Sequence, residues 1–145
     1  VWRIQLLSNY KLKVKKSKIH GYGLFADEEI PQDTLIIEYI GEKIINEEKR
    51  RREIENYKKG VTYIFYLDGI SWIDGEFMGN DSRYVNHSCN PNCNIVWKNG
   101  RIYFYSKRLI KKDEELTIDY DYDKDSKKEI CNCGSKNCRG FINEV

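Results

Sequence analysis

Cys131, Cys133 and Cys138 fall within the stretch Cys131-Asn-Cys133-Gly-Ser-Lys-Asn-Cys138, and thiols this close together suit one chemistry well. Neighbours in a Cys-X-Cys pair share a metal ion readily but cannot easily bond to each other, so a thiolate zinc site fits better than disulfides. The total of five cysteines is odd, and the spacing is too tight for an ordinary extracellular disulfide framework. Two polar blocks precede this tail: Arg83-Tyr-Val-Asn-His-Ser-Cys-Asn-Pro-Asn-Cys93 and Glu115-Leu-Thr-Ile-Asp-Tyr120. Taken singly, an Asn-His pair beside proline reads as a turn whose side chains cap backbone groups. Three ordered blocks point instead to a built site.

The elements that must position these blocks are mostly strands. Lys11 to Ile19 alternates apolar and polar residues as a half-buried strand does, and Ile19-His-Gly-Tyr-Gly-Leu-Phe25 breaks it with a two-glycine turn. Thr34 to Ile40 is a β-branched run between Pro31 and Gly41 that predicts a buried strand. Asn46 is placed to cap a helix running to about Lys58, with Gly60 past its end and a solvated Lys-Arg-Arg-Arg face. Val61–Leu67 and Ile70–Ile73 flank Asp68-Gly69, and Asn94–Trp97 and Arg101–Ser106 flank Asn99-Gly100, which predicts two hairpins. Leu116–Ile118 supplies one more strand, and the charged stretch Asp121–Glu129 has the composition of a linker. The expected architecture is mainly β with short helices: several small β-sheets, one surface helix and a metal-held tail.

The 145 residues allow one domain with a real core. No apolar run approaches the length needed to span a bilayer, so a soluble domain with no membrane partner is expected. The chain opens on Val1 without a signal-like segment and is read as a piece of a longer protein. A net charge of +2, from 25 basic and 23 acidic residues, does not demand a nucleic-acid partner. Lys11, Lys13, Lys15, Lys16 and Lys18 nonetheless crowd one segment, either as the lysines that protect an edge strand or as a phosphate-binding patch able to touch DNA.

The three blocks, in their order, resemble the SET-domain protein lysine methyltransferases with an attached post-SET zinc tail. The resemblance covers about Lys11 to Asn143 and divides the chain into a SET domain (11–123) and a linker with zinc-binding tail (124–145). It implies a fold in which the carboxy-terminal segment makes a knot-like crossing, with Asn86-His87 at that crossing. It also implies S-adenosyl-L-methionine as cofactor. His20, Gly21, Tyr22 and Gly23 match the first cofactor loop, where glycines permit close backbone approach, although alone they would read as a plain turn. Tyr63, Asn86, His87, Asn132 and Phe141 complete the implied cofactor site. Cys89 is the implied fourth zinc ligand beside Cys131, Cys133 and Cys138, which leaves Cys93 as a free, buried thiol.

Tyr120 matches the family's catalytic tyrosine. Methyl transfer to lysine needs a neutral amine held in line with a sulfonium methyl, and free lysine titrates near 10.4. A phenol that titrates near 10 positions the amine better than it removes a proton. Tyr63, Ile118 and Tyr122 are the implied channel residues, Tyr122 equally readable as a core aromatic. Ile118 departs from the Phe or Tyr that many relatives carry there, which leaves room for an already methylated amine. The implied substrate is a histone tail, most simply of histone H3, or the nucleosome, with activating subunits as further partners and the nucleus and chromosome as location. Gly79-Asn-Asp-Ser-Arg-Tyr84 and Arg3-Ile-Gln5 look closest to the NSD and Ash-type group, and Asn137-Cys-Arg-Gly-Phe-Ile-Asn143 to the trithorax type. The absence of cysteines ahead of the domain weakens a Suv-type assignment. The rival readings are a catalytically inactive SET module that binds a peptide, and a zinc-dependent nucleic-acid binder.

Overall fold

Short strands dominate residues 8–144, the part of the chain that the computed structural model describes. In chain order they are β1 (Leu12–Lys16), β2 (Tyr22–Ala26), β3 (Leu35–Tyr39), β4 (Glu42–Ile45), helix α1 (Asn46–Lys59), β5 (Ile64–Tyr66), β6 (Ser71–Asp74), β7 (Asn86–His87), β8 (Cys93–Lys98), β9 (Arg101–Ser106) and β10 (Thr117–Ile118), with a 3-10 turn at Asp81–Tyr84 before β7. Four small sheets result: β1-β2, β3-β9-β8, β4-β6-β5 and the parallel pair β7-β10. The mainly β architecture with several small sheets is therefore the one expected from the sequence. No helix among the described residues is long and apolar enough to cross a membrane.

Local chemistry explains where the elements differ from the sequence reading. The segment 19–25 is not all turn: Tyr22–Ala26 pairs antiparallel with β1, because Leu24, Phe25 and Ala26 are buried and the break is confined to the residues before Tyr22. The helix cap is Ile45 rather than Asn46, and it makes no side-chain cap bond; Asn46 Oδ1 instead accepts from Trp72 Nε1 at 2.7 Å. Gly60 closes the helix at φ +72°, as predicted. Glu42–Ile45 is a strand that the sequence reading passed over, and the strand expected from Val61 begins only at Ile64.

The two hairpins form by different means. Asn99 and Gly100, at φ +53° and +71°, make a two-residue turn of the kind that matches strand twist, and Lys98 pairs with Arg101 across it. At Asp68-Gly69 no residue has positive φ; the Asp68 carboxylate accepts from the amides of Ile70 and Ser71 and shapes a wider loop. The core beneath is built from Leu24, Ile30, Ile36, Ile102, Phe104 and Ile110, each 0–1% exposed. Fully burying such a side chain contributes roughly 1.5–3 kcal/mol, so the sheets are held by their shared core more than by their short ladders. A register shift between Leu35 and Ile37 lets the consecutive Ile36 and Ile37 both be buried.

Helix α1 joins this body through charge. Arg52 contacts Asp74, which is fully buried, at 2.8 Å, and also Glu42 and Glu48 at 2.9 and 2.7 Å. A buried carboxylate needs such a partner, since removing one member of a buried pair costs about 3–5 kcal/mol.

Candidate functional site

β10 brings the two polar blocks together. Thr117 pairs with Asn86 and Ile118 with His87 in parallel register, and the Ser88 amide donates to the Ile118 carbonyl at 2.9 Å. Asn92 replaces a missing neighbour strand. Its Oδ1 accepts from the Thr117 amide at 2.9 Å and its Nδ2 donates to the Glu115 carbonyl at 2.8 Å. Tyr120 thus leaves β10 directly beside His87.

The side chains of Asn86 and His87 turn inward. Asn86 Nδ2 donates to the carbonyls of His20 and Tyr22, both at 3.1 Å, and to Glu115 Oε1 at 2.8 Å. Ser17 Oγ donates to the same carboxylate at 2.8 Å, so Glu115 ties the 17–22 loop to β7. Gly23 has a second reason to be glycine, because any Cβ there would run into the Glu115 carboxylate. Gly21, at φ +46° with open space around it, is exposed along with His20 and Tyr22, which leaves an open shelf beside Asn86.

His87 is 3% exposed. Burial lowers its pKa from the ordinary value, so the ring is neutral at pH 7. Its Nδ1 accepts from the Tyr120 amide at 3.0 Å, which puts the ring proton on Nε2, 3.5 Å from Cys89 Sγ. One imidazole therefore links the backbone of Tyr120 to the thiol cluster.

The Tyr120 hydroxyl donates to the Val85 carbonyl at 2.8 Å. Its ring meets Phe65 edge-on at 6.0 Å and lies 5.6 Å from Tyr122. Burial raises the Tyr120 phenol far above its ordinary pKa, and pushes Tyr122 up to about 12. Neither can serve as a base near neutral pH, while both remain good hydroxyl dipoles. Tyr63 stands nearby, its carbonyl accepting from Tyr39 Oη and from the Gly75 amide, with the Arg83 guanidinium 5.9 Å from its ring. Ile118 is fully buried in the core beneath.

Cys89, Cys131, Cys133 and Cys138 have sulfur atoms that all lie within 4.8 Å of one another. Tetrahedral zinc with Zn–S near 2.3 Å needs sulfurs about 3.8 Å apart. Cys89 Sγ is 3.7 Å from Cys131 Sγ and 4.0 Å from Cys138 Sγ. Backbone amides add the donors a thiolate wants: Arg139 N to Cys89 Sγ and Gly140 N to Cys138 Sγ, both at 3.4 Å. Burial opposes ionisation of Cys133, yet backbone hydrogen bonds from Cys89 and Ser135 bring its thiol down to about 6. The four residues fit a structural zinc ion. Cys93 is separate, 2% exposed and pushed up to about 12 by burial.

The rest of the tail is held by polar clamps. Arg139 grips Asp119 with two bonds of 2.8 and 3.1 Å. Buried Asn143 takes the Glu129 amide at 3.0 Å and donates to the Asp123 carbonyl at 2.9 Å. Asn132 and Phe141 are exposed, Phe141 with Lys128 Nζ 5.7 Å from its ring.

The sequence model of the SET domain matches residues 21–121. This chain belongs to the SET domain family. It is similar to histone-lysine N-methyltransferase set-2 of Caenorhabditis elegans, with 42% identity over 91% of the chain and 9% of that protein. It is also similar to human histone-lysine N-methyltransferase SETD1B, at 42% over 92% of the chain and 7% of that protein. A third relative, the H3 lysine-4 specific histone-lysine N-methyltransferase of Aspergillus oryzae, is 41% identical over 99% of the chain and 12% of its own length. The chain thus spans about a tenth of the length of these curated relatives. The trithorax-type resemblance of the tail agrees with them; the Arg3-Ile-Gln5 motif lies outside the described residues.

Several groups of this SET domain escaped the sequence reading. Glu115 and Asn92 lay inside quoted motifs and Phe65 inside an expected strand, all without a task, and Arg139 directly followed a proposed ligand. Glu115, one of three consecutive acidic residues before the expected strand, and the partner of Arg139 had no local signal.

The lysine-rich edge is β1. Lys13 pairs with Asp113 and Asp27, and Lys15 Nζ sits 4.3 Å from the Phe25 ring, so two of its charges already have partners.

Proposed function

We propose that this SET domain is a histone-lysine N-methyltransferase that uses S-adenosyl-L-methionine to methylate a lysine of the histone H3 tail, lysine 4 being the target named for the fungal relatives. The carrying observation is the Tyr120 hydroxyl, held by the Val85 carbonyl among Phe65 and Tyr122 and backed by His87. The cofactor supplies a sulfonium methyl group. His20, Gly21, Tyr22 and Gly23 would border it together with Asn86 and His87, whose side chains also fix the loop and the tyrosine. Tyr63, Asn132 and Phe141 would cover its remaining sides.

Tyr120 would orient the substrate amine by its hydroxyl dipole, while Tyr63, Tyr122 and the body above Ile118 strip water from the lysine stem. Desolvation lowers a lysine pKa and so favours the neutral nucleophile. Zinc held by Cys89, Cys131, Cys133 and Cys138 would supply a tetrahedral tether and take no part in the chemistry. Residues 11–123 act as the catalytic unit and 124–145 as its cover. The nucleus and chromosome are the corresponding location, with the nucleosome as partner. Lys11 and Lys16, two exposed lysines of the basic segment outside the ion pairs of Lys13, are the residues for a DNA contact, and the exposed side of α1 offers room for an activating subunit.

Labelled cofactor with recombinant nucleosomes, followed by mass spectrometry of the modified peptide, tests this. Label on H3 lysine 4 is expected. Cofactor and histone binding without any transfer would favour the inactive-module reading instead, and label on another lysine would overturn the target.

A further inference from the structure

The four-cysteine cluster brings one end of the tail, through Cys89, against the body. It does not by itself fix the tail against the segment that carries Tyr120. That contact is made at the chain end, where Tyr122 bridges Asn143 through the backbone, and by the side chain of Arg139 on Asp119 itself. The Arg139 guanidinium bonds both oxygens of Asp119, Nη1 to Oδ2 at 2.8 Å and Nη2 to Oδ1 at 3.1 Å, and Nη2 also donates to the Ile142 carbonyl at 2.7 Å. The two side chains are only 20% and 25% exposed. Parallel two-bond pairing of this kind is stronger and more directional than an ordinary surface ion pair.

Asp119 is well placed to transmit this grip. It precedes Tyr120, its Oδ1 also accepts from the Asp121 amide at 3.0 Å, and it lies 3.5 Å from the same His87 Nδ1 that receives the Tyr120 amide. Burial opposes its charge, yet Arg139 holds its carboxyl below the ordinary value. From the other side, the Glu144 amide donates to the Tyr122 carbonyl at 2.8 Å, so the chain end runs alongside the Asp119–Tyr122 segment.

We infer that Arg139 and Asp119 form a latch that closes the tail onto the Tyr120 segment and sets the working position of the tyrosine, separately from the tether through the cysteines. The pair are positioning residues. The inference rests on Tyr120 being the catalytic tyrosine, so it needs readouts that survive the failure of that assignment.

The test uses the full 145-residue chain loaded with zinc, in the forms Arg139→Ala, Arg139→Lys, Asp119→Asn and the Arg139→Ala/Asp119→Asn double variant. Each is expected to keep one zinc per chain. Amide exchange at Ile142 and Glu144, and kcat at saturating cofactor and peptide, should change about tenfold in either single variant and by no more in the double, as members of one unit behave. Lysine keeps the charge but not the paired geometry, so Arg139→Lys should fall between parent and alanine. Unchanged exchange and unchanged kcat in Arg139→Ala overturn the latch, as do effects that multiply in the double variant. Faster exchange with parental kcat reduces the pair to tail stability and overturns its positioning role. If Arg139→Ala does not fold, Arg139→Lys and Asp119→Asn carry the same comparison. A parent that transfers no methyl group sinks the methyltransferase reading, and the exchange data still judge the latch.

Discussion

The body of this SET domain and its tail reach order by opposite routes. Between β1 and β10, strands too short to be stable alone share a core of fully buried Leu, Ile and Phe side chains. From residue 124 to 144 only Cys131 and Asn143 are buried, so the hydrophobic effect contributes little there. Four thiols, one bidentate ion pair and one buried amide do the holding. Apolar packing needs no metal, whereas the tail depends on specific polar partners. The proposed catalytic tyrosine, Tyr120, packs on the first region and its proposed cover is the second, which lets the cover loosen while the body stays folded.

The largest separation of the two regions should come from Tyr120→Phe. Losing one hydroxyl removes a bond to the Val85 carbonyl but no packing, so fold, zinc content and cofactor affinity should persist while kcat falls about a hundredfold, the cost of a misplaced reacting group. A variant as fast as the parent on the same peptide would show that the hydroxyl has no part in turnover. Burial raises the phenol well above its ordinary value, so it stays protonated across the working range. The rate should climb with pH as the substrate amine, near 10.4 when free, loses its proton, and Tyr120→Phe should keep that slope. A slope lost in the variant would reassign the tyrosine as a base.

A chelator strong enough to strip zinc, or Cys133→Ser, should come next. Activity is expected to fall about tenfold or more, with tail amides exchanging faster and the β3-β9-β8 sheet unchanged. Elemental analysis supplies the check, at one zinc per parent chain and none in the stripped protein; global unfolding on chelation would erase the contrast between the regions. Cys93→Ser serves as control, because that thiol is buried in the body away from the cluster and should leave the zinc count alone.

Asn143→Ala tests the tail without touching metal. It leaves the Glu129 amide and the Asp123 carbonyl without their partner, a cost of about 1–3 kcal/mol where such groups stay dry. Weaker cofactor binding by isothermal titration, with an unchanged melting temperature for the body, is the expected result. A fall in the body's melting temperature of similar size would mean that the two regions are one cooperative unit.

The smallest effect on rate should come from Ile118, which concerns products. Isoleucine offers no hydroxyl to hold water beside the amine, so di- and trimethyl-lysine are expected from the parent at long times. Ile118→Tyr should shift products toward the monomethyl form, although a larger side chain in this fully buried place costs about 1–3 kcal/mol of overpacking. Identical product ratios in the two proteins would remove this position from the control of multiplicity.

Sequence alone determined what local chemistry and pattern can encode. The Asn99-Gly100 hairpin, the Gly60 helix end and the thiol-rich tail were legible because turn preference and ligand type are properties of neighbouring residues. The three motif blocks also carried the family. Asn46 misled because its side chain had a better partner in Trp72, and β2 and β4 were missed because short strands take their stability from residues far along the chain. Only the tertiary structure joined Glu115 to Ser17 and Asn86, turned His87 toward both Tyr120 and Cys89, and set Arg139 on Asp119. Apart from His87 and Cys89, two positions apart, those pairings span 20 to 98 positions, where no local propensity reaches. A buried polar group takes whatever partner the fold brings within about 3 Å, and the packing of the core decides which one that is.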